Sequence, residues 1–221
     1  MNAVVIMAKA PISNVVKTRL VPPLNPKTAS ELYKAFLLDK IDQVRSLDGI
    51  QSFLAYAPKT AEGLFREFVP REFILIPQVG SDLGERLANV SDSLFHEGFR
   101  KIIISDSDTP NLPTDRIRNA LHQLNSHDTV IGPCEDGGYY LIGLRTNIPE
   151  LFAGIPWSSP DVVQSTVNRI RTVGGTVSLL EKWYDVDTFE TLLRLKRDLE
   201  SKPHVGFFCR NSYEALRKIV K

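Results

Sequence analysis

Short apolar runs rich in β-branched residues alternate along this chain with longer stretches of helical periodicity. That alternation restricts the fold to right-handed β-α-β crossovers on a mostly parallel sheet flanked by helices. Strands are expected near residues 4–7, 53–56, 73–77, 102–105 and 129–132, with helices near 26–45, 61–68, 83–98 and 114–124. Asp82-Leu83-Gly84-Glu85 has the spacing of a capping box, which marks a helix start. After about residue 133 the rhythm changes: Gly137-Gly138 runs into Tyr139-Tyr140-Leu141-Ile142, a strand entered through a tight bend. A helix near 161–171, a strand near 176–180 and a helix near 188–199 follow. Phe207-Phe208 and an amphipathic stretch at 213–220 predict a helical tail over residues 200–221.

The 221 residues carry 43% hydrophobic side chains, enough for a sizeable core, and no Ser/Gly-rich or charged linker divides them, so one domain over 1–221 is expected. Lys plus Arg (27) balances Asp plus Glu (26), which leaves no whole-chain field for nucleic acid or an anionic membrane. Phosphate affinity must then come from local clusters. Cys134 and Cys209 show no metal or redox spacing and fit a reducing compartment. The first apolar run is too short for a signal-peptide core or a membrane span, so a cytoplasmic location is expected and the sequon at Asn89 carries no consequence.

In an open α/β sheet, ligands collect outside the carboxyl ends of the strands. The fourth strand ends in Ser105-Asp106-Ser107-Asp108-Thr109-Pro110, and paired carboxylates suit a hard divalent cation; alternatively the two aspartates only shape a turn. Lys9, Lys17 and Arg19 share the loop after the first strand, either as a phosphate clamp or as a solvated basic loop. Lys17-Thr18 is no P-loop, since the upstream glycines are missing. Gln78, Gly80 and Arg86 surround the third strand's end and a helix N-terminus, where a base, a phosphate or merely a cap is served. Asp136 beside Gly137 and Gly138 allows close backbone approach of a ligand, with a carboxylate for a sugar hydroxyl or a metal-bound water. Asp185 and Asp187 repeat the D-x-D arrangement: Asp187 with Glu190 has capping-box spacing, whereas Asp185 is the natural second metal carboxylate. His96, His122, His127 and His204 lack zinc spacing, and no nucleophile elbow is present.

Taken in order, Lys9 to Leu20, Gln78 to Arg86, Asp108 and Pro110, Asp136 to Leu144, Pro156-Trp157 and Asp185 to Thr188 resemble the nucleotide-diphospho-sugar transferase superfamily with the GT-A fold. More narrowly, the chain is similar to the DUF2064-type glycosyltransferase-like family, related to 2-phospho-lactate guanylyltransferase and the molybdenum-cofactor guanylyltransferases. The resemblance runs from residue 3 to about 199. Three positions depart from the family pattern: Asn14 and Asp106 replace glycines, and Thr191 replaces an acidic residue. Asn tolerates the left-handed backbone that glycine supplies.

The resemblance implies a three-layer α/β/α fold with a mixed, mostly parallel sheet and a Mg²⁺- or Mn²⁺-dependent transferase. Its substrates would be a nucleotide sugar or a nucleoside triphosphate plus a small-molecule acceptor. Glycosyl transfer is the leading expectation, with nucleotidyl transfer second and a non-catalytic nucleotide-binding homologue third. Asp108, Asp136 and Lys17 are the implied catalytic residues. Nucleotide and phosphates fall to Lys9, Lys17, Arg19, Gln78, Gly80, Arg86, Gly137 and Gly138, and the metal to Asp108, Asp185, Asp187 and Asp106.

Overall fold

The computed structural model describes residues 1–201 and 209–219. Its strands are β1 (Asn2–Lys9), β2 (Ile50–Ala57), β3 (Ile74–Pro77), β4 (Lys101–Ser105), β5 (Thr129–Pro133), β6 (Tyr139–Leu144) and β7 (Val177–Leu179). They form one sheet in the order β3-β2-β1-β4-β6-β5-β7. Strand β6 runs antiparallel to both its neighbours, β4 and β5; every other pairing is parallel. This reversal is the change of rhythm after residue 133, and it makes the sheet mixed but mostly parallel, as expected.

The helices are α1 (Pro26–Arg45), α2 (Glu62–Arg66), α3 (Leu83–His96), α4 (Thr114–Gln123), α5 (Val162–Thr172), α6 (Phe189–Ser201) and α7 (Arg210–Ile219). Helix α1 starts where Asn25 accepts a hydrogen bond from the Thr28 amide at 2.9 Å, ahead of Pro26 in the first turn. Helix α3 starts at Asp82, whose Oδ1 accepts from the Glu85 amide at 2.8 Å; Glu85 returns to the Ser81 amide at 2.7 Å. The capping box is therefore real, with its return arm one residue upstream of the usual place.

Strand β1 is apolar from Ala3 to Ala8 because it is covered on both faces. Val4 and Ile6 pack against Leu37, Ile41 and Val44 of α1 and Ile117 of α4. Ala3 and Val5 face Leu87, Val90 and Leu94 of α3 and Ile170 of α5. A third apolar cluster joins Leu20, the Leu32 and Phe36 face of α1, Val186, and Leu192 and Leu195 of α6 to Leu216 of α7. Phe207, Phe208, Val220 and His204 lie outside the described residues. No helix among the described residues is long and apolar enough to cross a membrane.

Helix α7 docks through one carboxylate. Asp39 of α1 accepts from the Asn211 amide (3.0 Å), the Asn211 side chain (2.8 Å), the Ser212 amide (2.8 Å) and the Ser212 hydroxyl. A buried anion at a helix N-terminus is stabilised by those donors and by the helix dipole. Asp39→Ala is expected to lower the unfolding free energy by about 3 kcal/mol in a urea titration, whereas Glu31→Ala on the exposed face of α1 should change it by less than about 0.5 kcal/mol.

Candidate active site

Strands β1, β3, β4, β5 and β7 all point their carboxyl ends to one side of the sheet, so the loops that follow them converge there. Between these loops lies a cleft of about 440 Å³. Its walls include Lys9, Lys17, Arg19, Gln78, Arg86, Asp106, Asp108 and Asp187, which brings eight of the sequence-nominated residues together. A smaller cavity of about 170 Å³ contains Glu135, Asp136 and Asp185, and Arg19 and Asp187 border both.

The centre of the larger cleft is an ion triplet. The Lys17 ammonium lies 2.5 Å from Asp108 Oδ1 and 2.7 Å from Asp187 Oδ1, with its side chain only 2% exposed. The loop that delivers it is pinned by buried Ala10, Val16 and Leu20. It turns inward through left-handed backbone at Asn14 (φ 64°) and at Lys17 itself (φ 50°, ψ 38°). Asn14 thus does take the conformation that glycine would supply. Burial by itself lowers the Lys17 pKa, but Asp108 and then Asp187 outweigh it and raise it above the ordinary lysine value. Burial likewise pushes Asp187 up, and Lys17, Arg19 and Lys9 together hold it below the usual carboxylate range. Arg19 approaches Asp187 at 3.7 Å from an exposed position.

Asp187 is free for this role because it does not cap α6. The Thr191 hydroxyl accepts from the amides of Asp187 (3.1 Å) and Thr188 (3.0 Å), and Thr188 Oγ1 accepts from the Thr191 amide at 3.3 Å. The cap is therefore a Thr188–Thr191 pair rather than Asp187–Glu190. The departure at Thr191 is absorbed by the helix start.

Asp106 takes a different direction from Asp108. Strand β4 ends at Ser105, so strict alternation no longer governs the next residues. The Asp106 Oδ1 accepts from the Thr109 hydroxyl at 2.6 Å and stands 4.0 Å from the Lys40 ammonium. Burial pushes the Asp106 carboxyl up to about 7, against the opposing pull of Lys40. Lys40 is fully buried, has no hydrogen-bond partner among the described residues, and has its pKa lowered by burial. Asp106 is thus a turn-forming carboxylate backed by an internal lysine, not a member of the Lys17 triplet. A lysine on the apolar stripe Leu37-Lys40-Ile41-Val44 was the readable sign of this pair.

Sequence reasoning also passed over Tyr33 and Ser107. The Tyr33 hydroxyl accepts from the Lys9 amide at 3.0 Å and lies 2.8 Å from Ser107 Oγ, tying the end of β1 to the Asp106–Asp108 turn. Within α1 a tyrosine reads as one more core residue, so no local signal distinguished it.

The glycines serve packing. A Cβ on Gly137 (φ 96°) would come within 2.1 Å of the Pro160 carbonyl, and one on Gly80 within 2.7 Å of Glu85 Cβ. A Cβ on Gly84 would meet Trp157 Nε1 at 2.7 Å, and Tyr139 meets the Trp157 ring edge-on at 6.2 Å. The Q-x-G-x-D-L-G, D-G-G-Y and P-W segments are thus one interlocked unit. Gly80, Gly137 and Gly138 line neither cavity. Gly138 donates its amide to Asp136 Oδ1 at 2.9 Å and so orients that carboxylate. The Gln78 amide group is engaged with the Ala8 and Ala55 carbonyls at 3.1 and 2.7 Å, bridging the ends of β1 and β2.

Two oxygen sets suit a hard divalent cation. The Oδ1 atoms of Asp108 and Asp187 converge on one point, now held by the ammonium. Asp136, Asp185 and the Cys134 thiol offer atoms all within 4.8 Å of one another. Burial pushes the thiol far up, so it stays protonated and leaves the two carboxylates as the usable donors. Burial first, then Asp187 and Asp136, push Asp185 up to about 6.

Comparison with known proteins agrees with this fold. Residues 40–159 match the family model described as "Uncharacterized protein conserved in bacteria (DUF2064)". The chain belongs to the DUF2064 family. This DUF2064 protein is 28% identical over 186 residues to the 2-phospho-L-lactate guanylyltransferase of Methanothermobacter thermautotrophicus, covering 80% of the chain and 76% of that relative. It superposes with a TM-score of 0.89 and 31% identity on a crystal structure from Desulfovibrio desulfuricans G20 assigned as a nucleotide-diphospho-sugar transferase, over 98% of this chain and 94% of that one. The 4-diphosphocytidyl-2C-methyl-D-erythritol synthase of Anaerococcus prevotii shares the fold alone, at TM-score 0.64 and 10% identity over 90% and 96% of the two chains. The expected family and three-layer fold are therefore correct, and the DUF2064 protein is a transferase of the nucleotide-using kind.

The packing role of the D-G-G-Y glycines is directly testable. Gly137→Ala is expected to lower the thermal midpoint by several degrees, with about 2 kcal/mol or more lost, because Pro160 backbone has nowhere to go. Gly138→Ala, whose nearest obstacle is the Asp136 carboxylate at 3.3 Å, should remain folded with a far smaller shift.

Proposed function

We propose that this DUF2064 protein is a divalent-metal-dependent nucleotidyltransferase that moves a nucleoside monophosphate from a nucleoside triphosphate onto a small hydroxyl-bearing acceptor. The observation that carries this is the charge arrangement of one cleft: Lys9, Lys17, Arg19 and Arg86 around a convergent carboxylate pair. Four cations match a triphosphate better than the diphosphate of a nucleotide sugar, and about 440 Å³ is within the usual range for a nucleotide-sized ligand. The guanylyltransferase relative points the same way, so nucleotidyl transfer replaces glycosyl transfer as the leading reading.

In this reading Lys9, Arg19 and Arg86 bind phosphate oxygens, with Arg19 exposed enough to close on the ligand. Asp108 and Asp187 hold the Mg²⁺ or Mn²⁺ ion. When bound, that ion supplies charge neutralisation on the phosphates and on the departing pyrophosphate. The acceptor enters by the smaller cavity, where Asp136, steadied by the Gly138 amide, takes the proton of its hydroxyl. The acceptor oxygen then bonds to the α-phosphorus as the bond to the bridging oxygen breaks and pyrophosphate leaves. No protein nucleophile is needed for such an in-line displacement. The left-handed Asn14 and the Thr191 cap preserve the site, so neither departure favours a non-catalytic homologue.

The acidic smaller cavity also suits sugar hydroxyls, which keeps transfer from a nucleotide sugar as the second reading. Incubation of the protein with Mn²⁺, labelled nucleoside triphosphates and a panel of hydroxy acids and sugars distinguishes the two. Pyrophosphate release matched by a nucleotidylated acceptor is expected, falling on the order of 10²-fold or more in Asp108→Asn. Nucleoside diphosphate release from nucleotide sugars alone, or an unaffected Asp108→Asn, would refute the proposal.

A further inference from the structure

We infer that Lys17 is an internal plug on the Asp108–Asp187 carboxylate pair, and that it yields this place to a divalent cation only when a nucleoside triphosphate takes over its ammonium. The inference deepens the reading of the cleft as a triphosphate site and rests on it.

The geometry is exclusive. The ammonium is within 2.5 and 2.7 Å of the two inward carboxylate oxygens, and its side chain is almost wholly enclosed. Those oxygens are the same ones that would have to approach a Mg²⁺ or Mn²⁺ ion to about 2.1 Å. An ammonium and a divalent ion cannot share that point, because both positive charges would lie within bonding distance of the same two atoms. In the protein alone Lys17 therefore neutralises the pair and stands in for the metal. This also explains how two carboxylates from distant parts of the chain coexist there.

The plug is held by the ion pairs rather than by a relaxed backbone. Lys17 is a non-glycine residue in left-handed conformation, and strain of that kind persists only where surrounding contacts impose it. Exchange of the two carboxylates for phosphate oxygens gives the ammonium equivalent partners and lets the loop relax. Lys9 and Arg86 line the same cleft, and Arg19, 72% exposed, is not confined by packing. A triphosphate bound among these cations attracts Lys17 away and leaves the Asp108 and Asp187 oxygens open. Coupling of this sort is reciprocal: the nucleotide raises metal affinity by the factor by which the metal raises nucleotide affinity.

The test is a Mn²⁺ titration of the full chain, followed by the electron paramagnetic resonance of free Mn²⁺, in wild type and in Lys17→Met, counting only the binding that Asp108→Asn abolishes so that the Asp136–Asp185 pair does not contribute. Without nucleotide, Lys17→Met should bind Mn²⁺ at least about tenfold more tightly than wild type. With a triphosphate analogue whose α–β bridging oxygen is a methylene, wild type should form a ternary Mn²⁺ complex, and Lys17→Met should show weakened nucleotide binding. Equal Mn²⁺ affinity of the two proteins without nucleotide overturns the plug. So does a wild-type complex with the nucleotide analogue that takes up no Mn²⁺, in which Lys17 would replace the metal permanently. If Lys17→Met does not fold, low-micromolar Mn²⁺ binding by wild type alone still refutes the inference, and its absence until the analogue is added supports it. Failure of both proteins to bind any triphosphate would instead sink the proposed function, while the metal-only comparison still decides the plug.

Discussion

One ammonium group holds together three stretches of chain that are distant in sequence. Lys17 follows β1, Asp108 follows β4 and Asp187 precedes α6, and the three meet within 2.7 Å of a single nitrogen. The contact carries structural weight as well as charge. Leu20, three residues beyond Lys17, and Val186, one before Asp187, are both fully buried in the cluster that seats α6 and α7 on α1. The Val186 amide also donates to the Asp108 carbonyl at 2.9 Å, so backbone reinforces the side-chain bridge. Enclosing a charge is costly unless it is fully paired, and here both partners remain more than a third exposed, which limits the desolvation cost on the anionic side.

The sheet supplies the platform for this contact. Reversal of β6 between β4 and β5 lets the turn at 134–138 fall on the same side as the loops after β1 and β4, so Asp136 and Asp185 border the triplet instead of lying across the sheet from it. Beneath the turn after β4, Tyr33 and the Lys40–Asp106 pair occupy the space between α1 and the sheet. Asp106, the unusual residue of the D-x-D, thus braces the turn from the cleft wall through Thr109 and Lys40, whereas Asp108 pairs with Lys17.

Much of this was legible in the sequence. Periodicity located the α-helices and strands to within a few residues, because β1 and β4 are apolar on both faces and α3 and α4 on only one, but not the short 3-10 turns such as Thr18–Leu20. The family resemblance implied that Lys17, Asp108 and Asp187 serve one site, but not that the Lys17 ammonium sits on the two carboxylates. What escaped depends on contacts between distant segments. The D-G-G-Y glycines read as a ligand cradle, yet Pro160 fills the space beside Gly137. Asp187 carried capping-box spacing with Glu190, yet Thr188 and Thr191 cap the helix because Lys17 claims Asp187. A short-range rule cannot anticipate a partner 170 residues away.

A double-mutant cycle on unfolding free energy, pairing Lys17→Met with Asp187→Asn, examines the triplet most directly. A site organised by the enclosed ammonium predicts a coupling energy of about 1–3 kcal/mol between the two substitutions at neutral pH. Additive effects, within about 0.5 kcal/mol, would mean that Lys17 and Asp187 do not depend on one another and would contradict it.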